Sequence, residues 1–175
     1  MTTIRAIDTF YKGYKFRSRL EARWAVFSDT LGVEYIYEPE GYKLSCGWYL
    51  PDFWYPLGRV HKNDIGYFVE IKPTYPKSIE IKKAVSLSEN TKHCVVFLIG
   101  NPWPGEFSMI KTYWNGNIVK FAKTDNLFTG HLLDEPYIAY PFGVVLQRKG
   151  GWPPGQWNKA FKAARSARFE HGTSP

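Results

Sequence analysis

Apolar residues recur with a helical period early in the chain and then switch to shorter, alternating runs. In Ser18–Leu31 (SRLEARWAVFSDTL), Leu20, Trp24, Phe27 and Leu31 follow helical spacing and Gly32 supplies a stop, which predicts a first helix. Short extended segments are predicted at Glu34–Glu38 and, after the Pro39–Gly41 turn, at Tyr42–Leu44. The run WYLPDFWY (Trp48–Tyr55) is aromatic and extended, with a hairpin turning at Ser45–Gly47. Gly58–Gly66 is polar and reads as loop. Tyr67–Lys72 reads as a short strand stopped by Pro73, which cannot donate to a ladder.

Pro76–Asn90 predicts a second helix, with proline in its first turn and Ile79, Ala84 and Leu87 facing inward. Cys94–Ile99 (CVVFLI) is continuously apolar, as in a strand covered on both faces. Strand, helix and apolar strand in that order form a βαβ crossover, so the two strands are expected to be parallel. Phe107–Tyr113 and Ile118–Ala122 flank an Asn-Gly turn and predict a hairpin. Gly143–Leu146 is a further candidate strand. The fold class is therefore α/β: a mixed central sheet flanked by helices, with a C-terminal β-hairpin and a basic helical tail.

The tail differs in charge. Between Pro136 and Phe169 no acidic residue occurs, while Arg148, Lys149, Lys159, Lys162, Arg165 and Arg168 do. Gly150–Gly155 reads as a linker and Gln156–Phe169 as a helix, dividing the chain into a domain at 1–147 and a basic appendage at 148–175. The net charge of +7 points toward a polyanionic partner. Two cysteines, Cys46 and Cys94, exclude a disulfide framework or a four-cysteine zinc site, and the four histidines are scattered. The first residues lack the apolar core of a signal peptide, and no run reaches membrane-spanning length. A cytoplasmic protein without membrane partners is expected.

Three acidic residues and a lysine stand out. Strand alternation places Phe68, Glu70 and Lys72 on one face, with Glu70 and Lys72 roughly 6–7 Å apart. Alone, that is an ordinary ion pair on a half-solvated strand. Asp52 lies between aromatics on either side, where a carboxylate is costly without compensation. A divalent cation with its taste for oxygen ligands would compensate it, as would bonds to nearby backbone or a turn toward solvent. Ser18-x-x-Glu21 is a capping box, which by itself accounts for Glu21.

Pro51-Asp52 followed by Glu70-Ile71-Lys72 resembles the signature of the PD-(D/E)XK nuclease superfamily. The stretches FRSRLEARWAVF, YEPEGY, YLPDFW and VEIKP are similar to small bacterial and phage-type members, over about Tyr14–Gly100. The resemblance implies a restriction-endonuclease-like fold and a metal site of Asp52, Glu70 and Glu21 holding Mg²⁺ or Mn²⁺. It implies Lys72 as a catalytic residue that orients or deprotonates the attacking water. The expected activity is hydrolysis of phosphodiester bonds, foremost in DNA, in the host cytoplasm if the chain is phage-encoded.

Arg17, Arg19 and Arg23 flank the helical Glu21 and are candidate phosphate contacts, against the alternative of a solvated helix face. Lys159, Lys162, Arg165 and Arg168 are a second candidate set, against a plain amphipathic helix packed through Trp157, Phe161 and Ala164. Two rivals stand beside the nuclease: a non-catalytic nucleic-acid-binding module, and an inhibitor or assembly factor working through protein contacts. Whether the chain forms a homodimer is open at this level.

Overall fold

Ser18 turns an extended chain into the first helix. In this computed structural model, which describes residues 7–60, 63–104, 106–121 and 155–169, the Ser18 backbone is extended and its side chain accepts the Glu21 N–H. Helix α1 (Arg19–Leu31) follows, and Gly32 closes it at φ 71°, a left-handed conformation that costs glycine little. Before it lies a small hairpin, β1 (Thr9–Tyr11) with β2 (Tyr14–Phe16), which the polar-apolar pattern did not announce.

After α1 come β3 (Ile36–Tyr37) and the hairpin β4 (Tyr42–Leu44) with β5 (Gly47–Tyr49), which pairs Leu44 with Gly47. The predicted strand at Glu34–Glu38 is thus only two residues long. The aromatic run Trp48–Tyr55 is not one strand either. It breaks at Pro51-Asp52, and β6 (Phe53–Val60) starts afresh in a different sheet. Proline has no N–H for the ladder, so the break falls where the chain cannot continue pairing.

Strand β7 (Asn63–Lys72) is longer than expected, because Gly58–Val60 and Asn63–Gly66, read as loop, are strand. Gly58, Arg59 and Val60 pair with Ile65, Asp64 and Asn63 after a register shift at Pro56/Gly58. Ladder bonds belong to the backbone and need no apolar side chains, so this polar arm carried no alternation to read.

Helix α2 (Ser78–Thr91) crosses to β8 (Cys94–Ile99), which runs parallel to β7 as the crossover requires. Strands β9 (Ser108–Thr112) and β10 (Ile118–Phe121) complete an antiparallel hairpin. The main sheet has six strands in the order β10-β9-β8-β7-β6-β3, mixed in direction. Alternation along β7 and β8 splits the core in two. Val69, Ile71, Val96 and Leu98 pack with α1, while Phe68, Val95, Phe97 and Ile99 pack with Ala84 and Leu87 of α2 and with Leu44 and Tyr49 of the small hairpin.

Ile79 does not join them; it is 51% exposed. Five residues before Ala84, it lies about 140° around the helix from that position and so off the buried stripe. Helix α3 (Gln156–Ser166) buries Ala160, Phe161 and Ala164. Phe161 and Trp157 meet Phe27 of α1 at ring separations of 5.0 and 5.8 Å, and Gln156 Nε2 donates to Thr30 O. The tail helix therefore belongs to the same core as α1. The expected strand at Gly143–Leu146 and nearly all of the Gly150–Gly155 linker lie outside the described residues. Among the described residues no helix is long and apolar enough to cross a membrane.

Candidate active site

The pairing of β6 with β7 ends at Phe53 opposite Val69, so the last residues of β7 have a strand partner on the β8 side only. Asp52, one residue beyond that last pair, fills the gap. Its Oδ2 accepts the Ile71 N–H at 2.7 Å, replacing the ladder bond that β6 no longer supplies. Its backbone carbonyl accepts the Glu38 N–H at 2.8 Å, tying the break to the end of β3. The Pro51-Asp52 interruption thus turns a carboxylate into the notch beside Glu70 and Lys72.

The second oxygen of Asp52 is also taken: Oδ1 accepts Arg17 Nη2 at 2.7 Å, and Arg17 Nε reaches Glu38 at 2.6 Å. The compensation expected for Asp52 therefore comes from backbone and arginine. Burial pushes its carboxyl well above the usual carboxylate range; repulsion from Glu70 and Glu21 adds to this, against the Ile71 N–H and Lys72.

Glu70 is 2% exposed. One of its oxygens pairs with Lys72 Nζ at 3.1 Å, confirming the shared strand face. The other, Oε1, makes no hydrogen bond of good geometry and neither does the buried hydroxyl of Tyr49 on β5, but the two side chains face each other closely enough that Tyr49 helps to stabilise the Glu70 carboxylate. Burial raises the Glu70 pKa, with Lys72 pulling the other way. Lys72 also touches Glu80 of α2 at 3.0 Å. Burial works against its ammonium, but Glu70, Asp52 and Glu80 outweigh that and hold it protonated beyond the usual lysine range.

Glu21 has a full set of structural bonds. Its Oε1 accepts Ser18 Oγ at 2.6 Å, and its Oε2 accepts the Tyr37 hydroxyl at 2.7 Å and the Arg17 N–H at 3.2 Å. It stands near enough to Asp52 to raise that pKa, yet among the described residues no group of three His, Cys, Asp or Glu is placed to hold one metal ion. The structure thus brings Asp52, Glu70 and Lys72 together, and has Glu21 bracing the Ser18 cap of α1 beside them.

The three arginines separate. Arg17, expected on phosphate, is committed to Asp52 and Glu38, because it is the nearest cation to a buried acid. Arg19 and Arg23 have no carboxylate partner among the described residues. Lys159, Lys162, Arg165 and Arg168 are exposed on or just after α3, opposite its packed stripe.

Sequence reading missed Glu80, Tyr49, Tyr37 and Glu38. Only Glu80 left a trace, as an acid in the first turn of α2, where it accepts the Lys77 N–H at 2.7 Å. The floor of the site is set by Gly100, whose N–H donates to Lys72 O at 2.8 Å and whose carbonyl accepts Trp24 Nε1. Its φ of +99° and the Glu106 carbonyl 2.7 Å from where a Cβ would stand leave room only for glycine.

The donors fit a hard divalent cation in chemistry: Glu70 Oε1 is a buried carboxylate oxygen without a hydrogen bond of good geometry, and Asp52 stands near it. Comparison of the chain with protein-family models, with curated proteins and with solved structures finds no match to any of them.

Proposed function

We propose that this chain is a metal-dependent nuclease hydrolysing phosphodiester bonds, most favourably in DNA, on a restriction-endonuclease-like scaffold. One observation carries the reading: two buried carboxylates, Asp52 and Glu70, stand beside a protonated Lys72 at the end of one strand. Arg17, Lys72 and the Ile71 N–H offset part of this buried negative charge, and a divalent cation would offset more of it. Asp52 and Glu70 would hold Mg²⁺ or Mn²⁺, which when bound polarises the phosphate and acidifies water.

The chain's own groups supply the rest. Lys72, pinned between Glu70 and Glu80, is a fixed cation that hydrogen-bonds the attacking water or a non-bridging oxygen and stabilises charge growing on phosphate. Held protonated, it orients rather than deprotonates. As the new P–O bond forms and the bond to the leaving ester oxygen breaks, the proton of the water would pass to solvent or to a phosphate oxygen, because Glu70 as a metal ligand is not free to take it. Tyr49 and the α1 cap keep these groups in position.

A second reading, a nucleic-acid binder without catalysis, draws support from Arg17, which occupies Asp52 Oδ1. The two part on one assay. Supercoiled plasmid, linear duplex, single strands, branched DNA and RNA are incubated with Mg²⁺, Mn²⁺ or excess chelator. Metal-dependent cleavage by the parent, lost in Asp52→Ala and Glu70→Ala, is expected. Cleavage surviving in chelator or in either variant would end the assignment.

A further inference from the structure

Arg19 and Arg23 are four residues apart on α1; burial lowers the Arg23 pKa, and the charge of Arg19 lowers it further. Two half-buried guanidinium groups side by side are unfavourable unless an anion joins them. None does so from the described residues: among them neither arginine has an ion-pair partner, and the Nε of each is buried without an acceptor. Arg23 is nevertheless held in place, its guanidinium 5.5 Å from the ring centre of Trp103 in the loop after β8.

This pair stands close to the chemistry. Trp24, the next residue of α1, donates to Gly100 O, and Gly100 N donates to the carbonyl of Lys72. Trp103 N in turn donates to Asn101 O, folding its loop back at the same end of β8.

We infer that Arg19 and Arg23, braced by Trp103, form a binding site for one phosphate of a nucleic-acid strand next to the phosphate aligned on Lys72. The inference rests on nucleic acid being the substrate, as proposed above, but not on its being cut. Paired guanidinium forks suit the oxygens of one phosphodiester, and an anion between them relieves the repulsion they otherwise carry. The recognition is of backbone, so it is blind to base sequence.

The test uses the full chain in excess chelator, with labelled single-stranded and duplex DNA of several sequences titrated across a salt series. Arg19→Gln with Arg23→Gln should lower the log–log salt slope by about one and weaken binding severalfold, equally for all sequences. Arg19→Lys with Arg23→Lys should keep the slope while losing part of the affinity, because charge remains but the fork is gone. The melting temperature of the Gln variant should match or exceed that of the parent, since a repulsion has been removed. Should it fall instead, Arg19→Gln alone, which leaves the Arg23–Trp103 contact intact, carries the same measurement. An unchanged slope in the folded variant overturns the site. Plasmid cleavage by the parent is scored separately. A reduced slope without parental cleavage keeps this site and removes the nuclease; cleavage with an unchanged slope does the reverse.

Discussion

At the scale of single residues, the same side chain answers to more than one demand, and substitution can separate them. Glu21 caps α1 through Ser18 and Arg17 and also lies near Asp52. Glu21→Gln retains an acceptor for the cap, so its melting temperature should change little. If Glu21 serves only the cap, turnover should be nearly unchanged as well; a large loss with the same melting temperature would make it a metal ligand after Arg17 and Tyr37 release it.

Lys72 allows a cleaner separation. It cannot ligate a cation, so Lys72→Met should keep or tighten Mn²⁺ binding in calorimetry, one nearby positive charge having gone. Turnover should drop on the order of a hundredfold or more if its charge acts on the transition state. Lys72→Arg should not restore it, since the planar fork does not replace a compact ammonium. Near-parental turnover in Lys72→Met would reduce Glu70 and Lys72 to an ion pair of ordinary kind.

At the scale of elements, α3 shows how one helix serves two masters. Phe161, Ala160 and Ala164 are buried against α1, and the basic residues point outward. Phe161→Ala removes a ring that packs on Phe27 and lies near Phe107, and should cost about 3–5 kcal/mol in urea unfolding. Reversing Lys159, Lys162, Arg165 and Arg168 touches no buried atom, so the fold should persist while DNA affinity falls and its salt slope flattens. A slope equal to that of the parent would mean that this face points away from the nucleic acid. The two kinds of substitution should not be exchanged: deletion of the helix would lose both effects at once.

For the whole molecule, an acidic notch sits in a protein of net charge +7. A field of that sign favours the approach of a polyanion, which under the proposed function would then meet carboxylates, an unfavourable encounter unless a cation intervenes. The notch also has a stability signature. Folding raises the Asp52 pKa from an ordinary 3.8, so the folded chain binds that proton more tightly than the unfolded one. Its contribution to stability is complete below about pH 3.8 and is lost as pH rises through the folded value. Relative to the parent, Asp52→Asn should therefore gain stability as pH rises from the acid range toward neutrality in the absence of metal, by at most about 1.4 kcal/mol per pH unit. A difference that stays flat with pH would mean Arg17 and the Ile71 N–H fully offset the burial.

Local patterning was enough for those elements whose side chains must satisfy one periodicity. Helix α1 and its Ser18 and Gly32 boundaries, the strand Cys94–Ile99, the parallel crossover and the Asn-Gly hairpin were all readable because burial, capping and turn conformation act over a few residues. So was the shared face of Glu70 and Lys72. The polar continuation of β6 and β7 was not, since backbone pairing leaves no mark on side-chain polarity. Nor was the position of Ile79, since which arc of α2 is covered depends on what packs against it. The surroundings of the candidate site were hidden more deeply. Arg17 meets Asp52 across 35 positions, and Trp24 meets Gly100 across 76. Such pairs exist only once sheet order and helix packing have fixed the distances. The chain alone specified which groups carry charge; the tertiary structure decided which of those charges are buried, which are already partnered, and which are left without a counter-charge, because only packing sets the distances between them.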